Sequence, residues 1–267
     1  MRARSIYGTI VLAIAAIAAI ALVALALHES KPVVADPGAT PGYAATTAPA
    51  AAPFTSSPSS EPATPSTTAP RSSAPSSPIP PVSLWIGDGY TAGAGAASPQ
   101  QGEACLTATA LGWSCELDAV SGTGYVAGSA PLAGRLANDA ARVPAPSVVV
   151  VDAGRADGTT FSAALQAAVT SYFGQLAQTW PAANVVIIEP YFLTSASTDF
   201  SAIRQFLASV ASAHNWSVID PIGSGWITKA SAALVSSDKT DPNPQGHEYL
   251  AGKLAATLKP LASALAR

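Results

Sequence analysis

The chain has 267 residues, 49% of them hydrophobic and only 11% charged, with 13 Lys/Arg against 16 Asp/Glu for a formal charge of −3. That length allows one globular domain of ordinary size with appendages, and the mild acidity excludes the basic footprint by which proteins hold nucleic acid. From Val82 onward the balance is 9 Lys/Arg to 13 Asp/Glu with no basic run, so neither nucleic acid nor an anionic membrane surface is an expected partner of that part.

Residues 1–5 contain Arg2 and Arg4, and the segment from Ile6 to Leu27 carries no charge and is almost wholly Ile, Leu, Val and Ala. A run of roughly 20 such residues spans a bilayer as one helix, and positive residues before it remain in the cytoplasm. Residues 6–27 are therefore expected to form a transmembrane helix or signal anchor, with the domain held extracytoplasmically at the cell membrane. The alternative is a signal peptide cleaved after Ala24-Leu25-Ala26, which gives a secreted protein, although the apolar core of such peptides is normally only about 7–15 residues. Residues 28–81 change to Pro, Ala, Ser and Thr with scarcely any large apolar side chain. Such a stretch buries too little surface to offset the entropy of ordering, which predicts a disordered, semi-extended linker.

Beyond the linker, apolar strands alternate with helical segments, the pattern of an α/β fold in which a parallel sheet is covered by helices on both faces. Strands are expected at Val82–Ile86, Glu116–Val120, Ser147–Ala153, Asn184–Glu189 and Ser217–Asp220, the third containing four consecutive valines as a doubly buried strand does. Helices are expected at Gln101–Leu111, Phe161–Trp180, Asp199–His214 and from Gln245 to about Leu265, with Pro181 ending the second. Cys105 and Cys115 are the only cysteines, and an even count outside the cytoplasm favours a disulfide between a helix and the strand after it. Two thiols without neighbouring histidines make a poor metal set, so no metal or cofactor is expected.

The stretch Val82-Ser-Leu-Trp-Ile-Gly-Asp-Gly-Tyr-Thr-Ala-Gly93 organises the domain, because a buried strand there runs into a glycine-rich turn. Open α/β sheets place their ligands in the crevice beyond the carboxyl ends of such strands. Three further stretches follow in order: Ser121-Gly122-Thr123-Gly124-Tyr125, Gly154-Arg155-Ala156-Asp157 at the end of the valine strand, and Asp238-Lys-Thr-Asp241-Pro-Asn-Pro-Gln-Gly-His247 before the last helix. Together the four resemble the motif blocks of the SGNH, or GDSL-type, hydrolases, over nearly all of residues 82–267.

The resemblance implies a three-layer α/β/α sandwich with a flavodoxin-like parallel sheet. It also implies a site in which the first block supplies a nucleophilic serine. The second block supplies a glycine N–H for the oxyanion, the third a Gly-x-Asn-Asp asparagine for the same charge, and the last an Asp-x-x-His pair. In this chain the serine falls on Gly89, the oxyanion glycine on Gly122, the asparagine on Ala156, the orienting acid on Asp238 and the histidine on Asp241. Losing the nucleophile or the histidine of a serine triad costs on the order of 10⁶ in turnover, and one lost oxyanion donor about 10²–10³. The expectation is an inactive hydrolase-like domain that binds an envelope ligand or partner protein through Asp88, Gly89, Gly122, Gly154 and Asp157.

The rival is a working envelope ester hydrolase or acyl transferase whose unusual site draws on Tyr90, Thr91, Ser121 or an acidic cluster of Asp88, Asp157, Asp238 and Asp241. Against it, Tyr90 and Thr91 are expected to point away from the turn. Asp88 and Asp157 match positions that hold loops together in the family, and Asp238 and Asp241 are suited to capping the turn before the last helix. His247 is the only histidine near the site by sequence and matches a structural position, while His28 belongs to the linker and His214 to a surface helix.

Overall fold

A computed structural model describes residues 79–194, 198–237 and 239–267. The expected anchor at 6–27, nearly all of the linker and the orienting-acid position Asp238 lie outside these residues. The first strand, β1 (Val82–Gly87), buries Leu84, Trp85 and Ile86 almost completely and ends in a single-turn helix, α1 (Gly89–Ala92). Then follow α2 (Glu103–Leu111), β2 (Ser114–Ala119), α3 (Leu132–Arg142), β3 (Val148–Asp152), α4 (Ala163–Thr179), β4 (Asn184–Ile188), α5 (Ser201–His214), β5 (Ser217–Ile219) and α6 (Pro244–Leu265). Among the described residues no helix is long and apolar enough to cross a membrane.

The five strands pair in the order β2-β1-β3-β4-β5, all parallel. Successive side chains of a strand point to opposite faces, and β3 divides its valines accordingly. Val149 and Val151 pack with Leu132 and Leu136 of α3, Tyr172 and Phe173 of α4 and Leu207 of α5. Val148 and Val150 join Ala104 and Ala108 of α2 and Leu250 and Leu254 of α6 on the other face. The sheet is thus sandwiched between two helical layers. Its order reverses between β1 and β3, so the loops leaving these two strands diverge and open a crevice at their carboxyl ends.

Sequence reasoning placed each strand within two residues of its observed start and end, but assigned nothing between Tyr125 and Ser147, where α3 makes the crossover from β2 to β3. The signals for that helix were present: Pro131 at its start, Leu132 and Leu136 one turn apart, and good helix formers such as alanine at most of the remaining positions, with charges at Arg135, Asp139 and Arg142. Two of those charges turn inward. Arg135 pairs with Asp118 at 3.1 Å and donates to the carbonyl of Gly87, and Asp139 is buried beside them. The cysteines do form a disulfide, Cys105–Cys115, which joins α2 to β2 across a separation of 10 residues. A loop that short contributes somewhat less than about 3 kcal/mol by restricting the unfolded chain.

Candidate functional site

Four loops converge on the crevice, and an arginine that sequence reasoning assigned no role ties two of them together. Asp88 caps α1, its carboxylate accepting the Tyr90 N–H at 3.1 Å. The same carboxylate receives Arg155 Nε at 3.0 Å and Nη2 at 2.7 Å, while Arg155 Nη1 reaches Asp152 Oδ1 at 2.8 Å. The guanidinium also lies 4.3 Å from the Tyr90 ring centroid and 5.3 Å from that of Tyr191. Arg155 therefore fastens the end of β1 to the end of β3. A fully charged arginine directly after a strand of four valines was the signal in the sequence, since such a charge is buried only when paired.

Burial pushes Asp152 up to about 6 against the pull of Arg155, with Glu103 adding to the rise. It raises Asp88 as well, Arg155 again opposing. Arg155 itself is held charged, because Asp152 and Asp88 outweigh the cost of its burial.

Asp157 does a different job. Its carboxylate accepts the N–H groups of Tyr125, Val126 and Ala127 at 2.8, 2.9 and 2.9 Å, which pins the loop carrying Ser121 and Gly122. A side chain at Gly124 would overlap that carboxylate. Gly122 is needed for another reason: its φ of +73° lies in the left-handed region, and nothing stands within 4 Å of where its Cβ would be. Asp88 and Asp157 hold loops, as the resemblance implied, and they spend their acceptors on separate partners rather than forming an acidic cluster.

Between these loops is a cleft of about 180 Å³, whose walls include Asp88, Gly89, Ser121, Gly122, Ala156 and Asp241. Phe192, from the segment after β4, lines it too and was not anticipated. Gly154 and Asp157 are not part of the wall. A Cβ at Gly89 would stand 2.8 Å from Asp241 Oδ1 and 3.3 Å from Ser121 Oγ, so the carboxylate and the hydroxyl crowd the volume a serine side chain would enter. Gly89 opens α1, so its N–H has no acceptor four residues back in the helix.

Of the other two hydroxyl residues, Tyr90 lines the cleft, contrary to expectation, with its hydroxyl taken up by backbone groups, whereas Thr91 is buried away from it. The Tyr90 hydroxyl lies 3.2 Å from the Thr240 carbonyl and 3.3 Å from the Leu193 nitrogen, and Thr91 is buried with Oγ1 3.4 Å from Asp152 Oδ2.

His247 is fully buried and structural. Its Nδ1 accepts the Glu103 N–H at 3.2 Å and its Nε2 lies 2.9 Å from the carbonyl oxygen of Ala94, bonds that the neutral ring with its proton on Nε2 satisfies together. Burial lowers its pKa, but Glu103 more than offsets that, leaving it above the usual imidazole range. His214 stacks on Trp216 at 4.2 Å and takes no part in the cleft. The cap of α6 is Asn243, whose side chain accepts the Gly246 N–H at 2.9 Å, and not Asp241. Asp241 fixes its turn through its carbonyl, which accepts from Ser236 N–H at 2.8 Å and Oγ at 3.0 Å, and the residue lines the cleft.

No protein-family model matches the chain, and no curated protein sequence does. Solved structures do. An active-site mutant of a family two carbohydrate esterase from Clostridium thermocellum superposes with a TM-score of 0.55 at 18% identity, covering 68% of this chain and 65% of that one. A psychrotrophic esterase from Pseudoalteromonas, solved with monoethylphosphonate as inhibitor, gives 0.53 at 16%, over 68% of this chain and 98% of the esterase. A lipolytic protein of the G-D-S-L family from Desulfitobacterium hafniense, its function assigned only provisionally, gives 0.53 at 14%, over 66% and 98%. At these identities the likeness establishes the fold alone.

Proposed function

We infer that this chain, which has the fold of the SGNH hydrolases without their reacting side chains, is a binding module of the cell envelope rather than a hydrolase. The observation that carries the reading is at Gly89. The position that would bear the attacking oxygen has no side chain, and Asp241 Oδ1 crowds the volume in front of it. An aspartate in place of a base with a pKa near neutrality takes a proton poorly from an alcohol, and Ala156 has nothing to donate to an oxyanion. What remains is a partly apolar cleft bounded by bare backbone, a hydroxyl and a carboxylate, which suits holding a small polar group.

The extracytoplasmic, membrane-tethered placement rests on the uncharged segment 6–27 and is supported by the Cys105–Cys115 disulfide, a bond that persists in oxidising compartments. The linker at 28–81 would then let the domain work at a distance from the bilayer. Membrane fractionation after alkaline washing separates this from the secreted alternative, since a cleaved form stays in the soluble fraction.

A second reading has one observation in its favour. Ser121 Oγ lies 3.3 Å from where the missing Cβ would be, and Gly122, directly after it, has the place of an oxyanion donor. One experiment addresses both. The purified chain is treated with short-chain nitrophenyl esters and a fluorophosphonate, then mapped by peptide mass spectrometry. The binding reading expects ester cleavage at the uncatalysed rate and no adduct. Labelling of Ser121, lost together with turnover in Ser121→Ala, would overturn it.

A further inference from the structure

We propose that Glu103 and Asp152, buried beneath the cleft, share a single proton that latches α2 to the end of β3, so that the frame of the cleft is held at acidic pH and loosens as the pH rises. The inference goes beyond the reading above and does not depend on it, since neither residue is part of the cleft wall.

The side chains of Asp152, the last residue of β3, and Glu103, the first of α2, are hydrogen-bonded to each other. A carboxylate only accepts, so two carboxyls bond in this way only when one of them carries a proton. The neighbouring donors do not replace it. Arg155 Nη1 is engaged by Asp152 Oδ1 at 2.8 Å, and Thr91 Oγ1 stands 3.4 Å from Oδ2. Glu103 Oε2 is buried without a hydrogen-bond partner. His247 faces that oxygen from α6 at 3.7 Å, but through Nδ1, the nitrogen that already accepts the Glu103 N–H.

Charge balance calls for the same proton. Among the described residues Arg155 is the only permanent cation of this cluster, set against Asp88, Asp152 and Glu103. Asp88 takes up the Nε and Nη2 of that guanidinium and the Tyr90 N–H, so it has its own donors. With all three carboxyls ionised, negative charge would stand unbalanced away from water, a state that buried groups avoid by binding a proton. Burial raises the Tyr90 and Tyr191 phenols, so neither ionises where the carboxyl pair does. His247 does titrate nearby: burial lowers its pKa, and Glu103, the Ala94 carbonyl and Asp241 more than offset that.

The Asp152 carboxyl is pushed up to about 6 by its burial, with Arg155 opposing and Glu103 adding to the rise. Its folded pKa therefore lies above its unfolded value, and the latch is complete below about pH 4 and lost as pH rises through about 6. Once the proton passes to water, two like charges meet. Asp152 is fixed in β3 between β1 and β4, so the strain falls on the first turn of α2. The segment before that turn leans on the cleft: Gly95 lies so close to the Pro242 carbonyl that a side chain there would overlap it, and Thr240 and Asp241 of the same turn line the wall.

Amide hydrogen exchange of the full-length chain, corrected for the intrinsic rate at each pH, reads the latch at Tyr90 and Glu103, whose N–H groups are donated to Asp88 and His247. Protection at both should fall about tenfold between pH 5 and pH 8, the ratio set by one proton released near pH 6. Asp152→Asn keeps an acceptor for Arg155 and gives Glu103 a permanent donor, so it should hold protection constant over that range, as should Glu103→Gln. Protection in the parent that does not change with pH overturns the inference, and so does an Asp152→Asn variant that loses protection as the parent does. Constant protection in Glu103→Gln alone overturns it as well, because only that variant also removes the carboxylate beside His247, and the proton would then belong to the imidazole. The Asp152 carboxyl carbon, followed by NMR in the parent, reports without any variant. Titration near pH 6 supports the shared proton, and titration in the ordinary range near pH 4 overturns it.

Discussion

Two sets of residues meet at the crevice, and they differ in what they touch. Asp88, Arg155 and Asp157 tie the loops together, each with two or more polar partners, although Asp88 and Arg155 also line the cleft. Gly89, Ala156 and Asp241 face the cleft, and the side chains at 89 and 156 carry no polar group at all. The SGNH scaffold therefore separates the residues that hold its loops from those that would react, and the second set can change while the first keeps the backbone in place.

The largest effect that would sharpen this contrast is on chemistry. If the frame still holds reaction geometry, the triple variant Gly89→Ser, Ala156→Asn and Asp241→His should hydrolyse nitrophenyl acetate measurably above the uncatalysed rate. Gly89→Ser alone should not, because its side chain meets Asp241 Oδ1 and finds no histidine. A triple variant that folds and stays silent would show that the loops have moved along with the reagents.

The next effects are on stability and fall on the frame alone. Arg155→Met leaves Asp88 and Asp152 buried without their cation, and removing one partner of such a pair costs about 3–5 kcal/mol. Asp157→Ala strips the acceptor from three backbone N–H groups at a half-buried loop and should cost about 2 kcal/mol. Denaturant titration measures both. Ala156→Asn, which faces the cleft, should stay within about 0.5 kcal/mol of the parent. A cost at Ala156 equal to that at Arg155 would break the division.

The same contrast explains what the sequence made legible. The strands were readable because burial on both faces demands unbroken apolar runs such as Val148–Val151, and the loop-holding aspartates because they stand beside turn glycines. The cleft positions were readable only as absences, through the resemblance. The nearness of Asp241 to Gly89 was legible only through the resemblance, which puts them at the histidine and serine positions, whereas Phe192 was not legible at all, since it comes from a loop brought in by the sheet order more than 100 residues along the chain. Helix α3 was missed although its pattern was there, because two of its inward positions are Arg135, paired with Asp118, and Asp139, paired with Arg142, and buried charges read as surface in a hydrophobicity pattern.

That helix also supplies the smallest expected effect, a pH dependence remote from the cleft. Burial and the neighbouring Asp118 push the Asp139 carboxyl up to about 7, with Arg142 opposing. Asp118 Oδ2 is buried without a hydrogen-bond donor, and a proton on Asp139 supplies one, whereas Arg135 already engages the other oxygen at 3.1 Å. A carboxyl whose folded pKa lies above its unfolded value binds its proton more tightly when folded. The stabilisation is therefore complete below about pH 4 and is lost as pH rises through about 7. Asp152, raised to about 6 by its burial, acts in the same sense, as does His247 with its raised pKa. The melting temperature should fall between pH 5 and pH 8, with Asp139 contributing to the change. Asp139→Asn keeps a donor for Asp118 but cannot ionise, so it should flatten the profile and leave ligand binding untouched. If the variant melts with the parent's slope, the proton is not held on α3 and the fall with pH belongs to the frame around Asp152 instead.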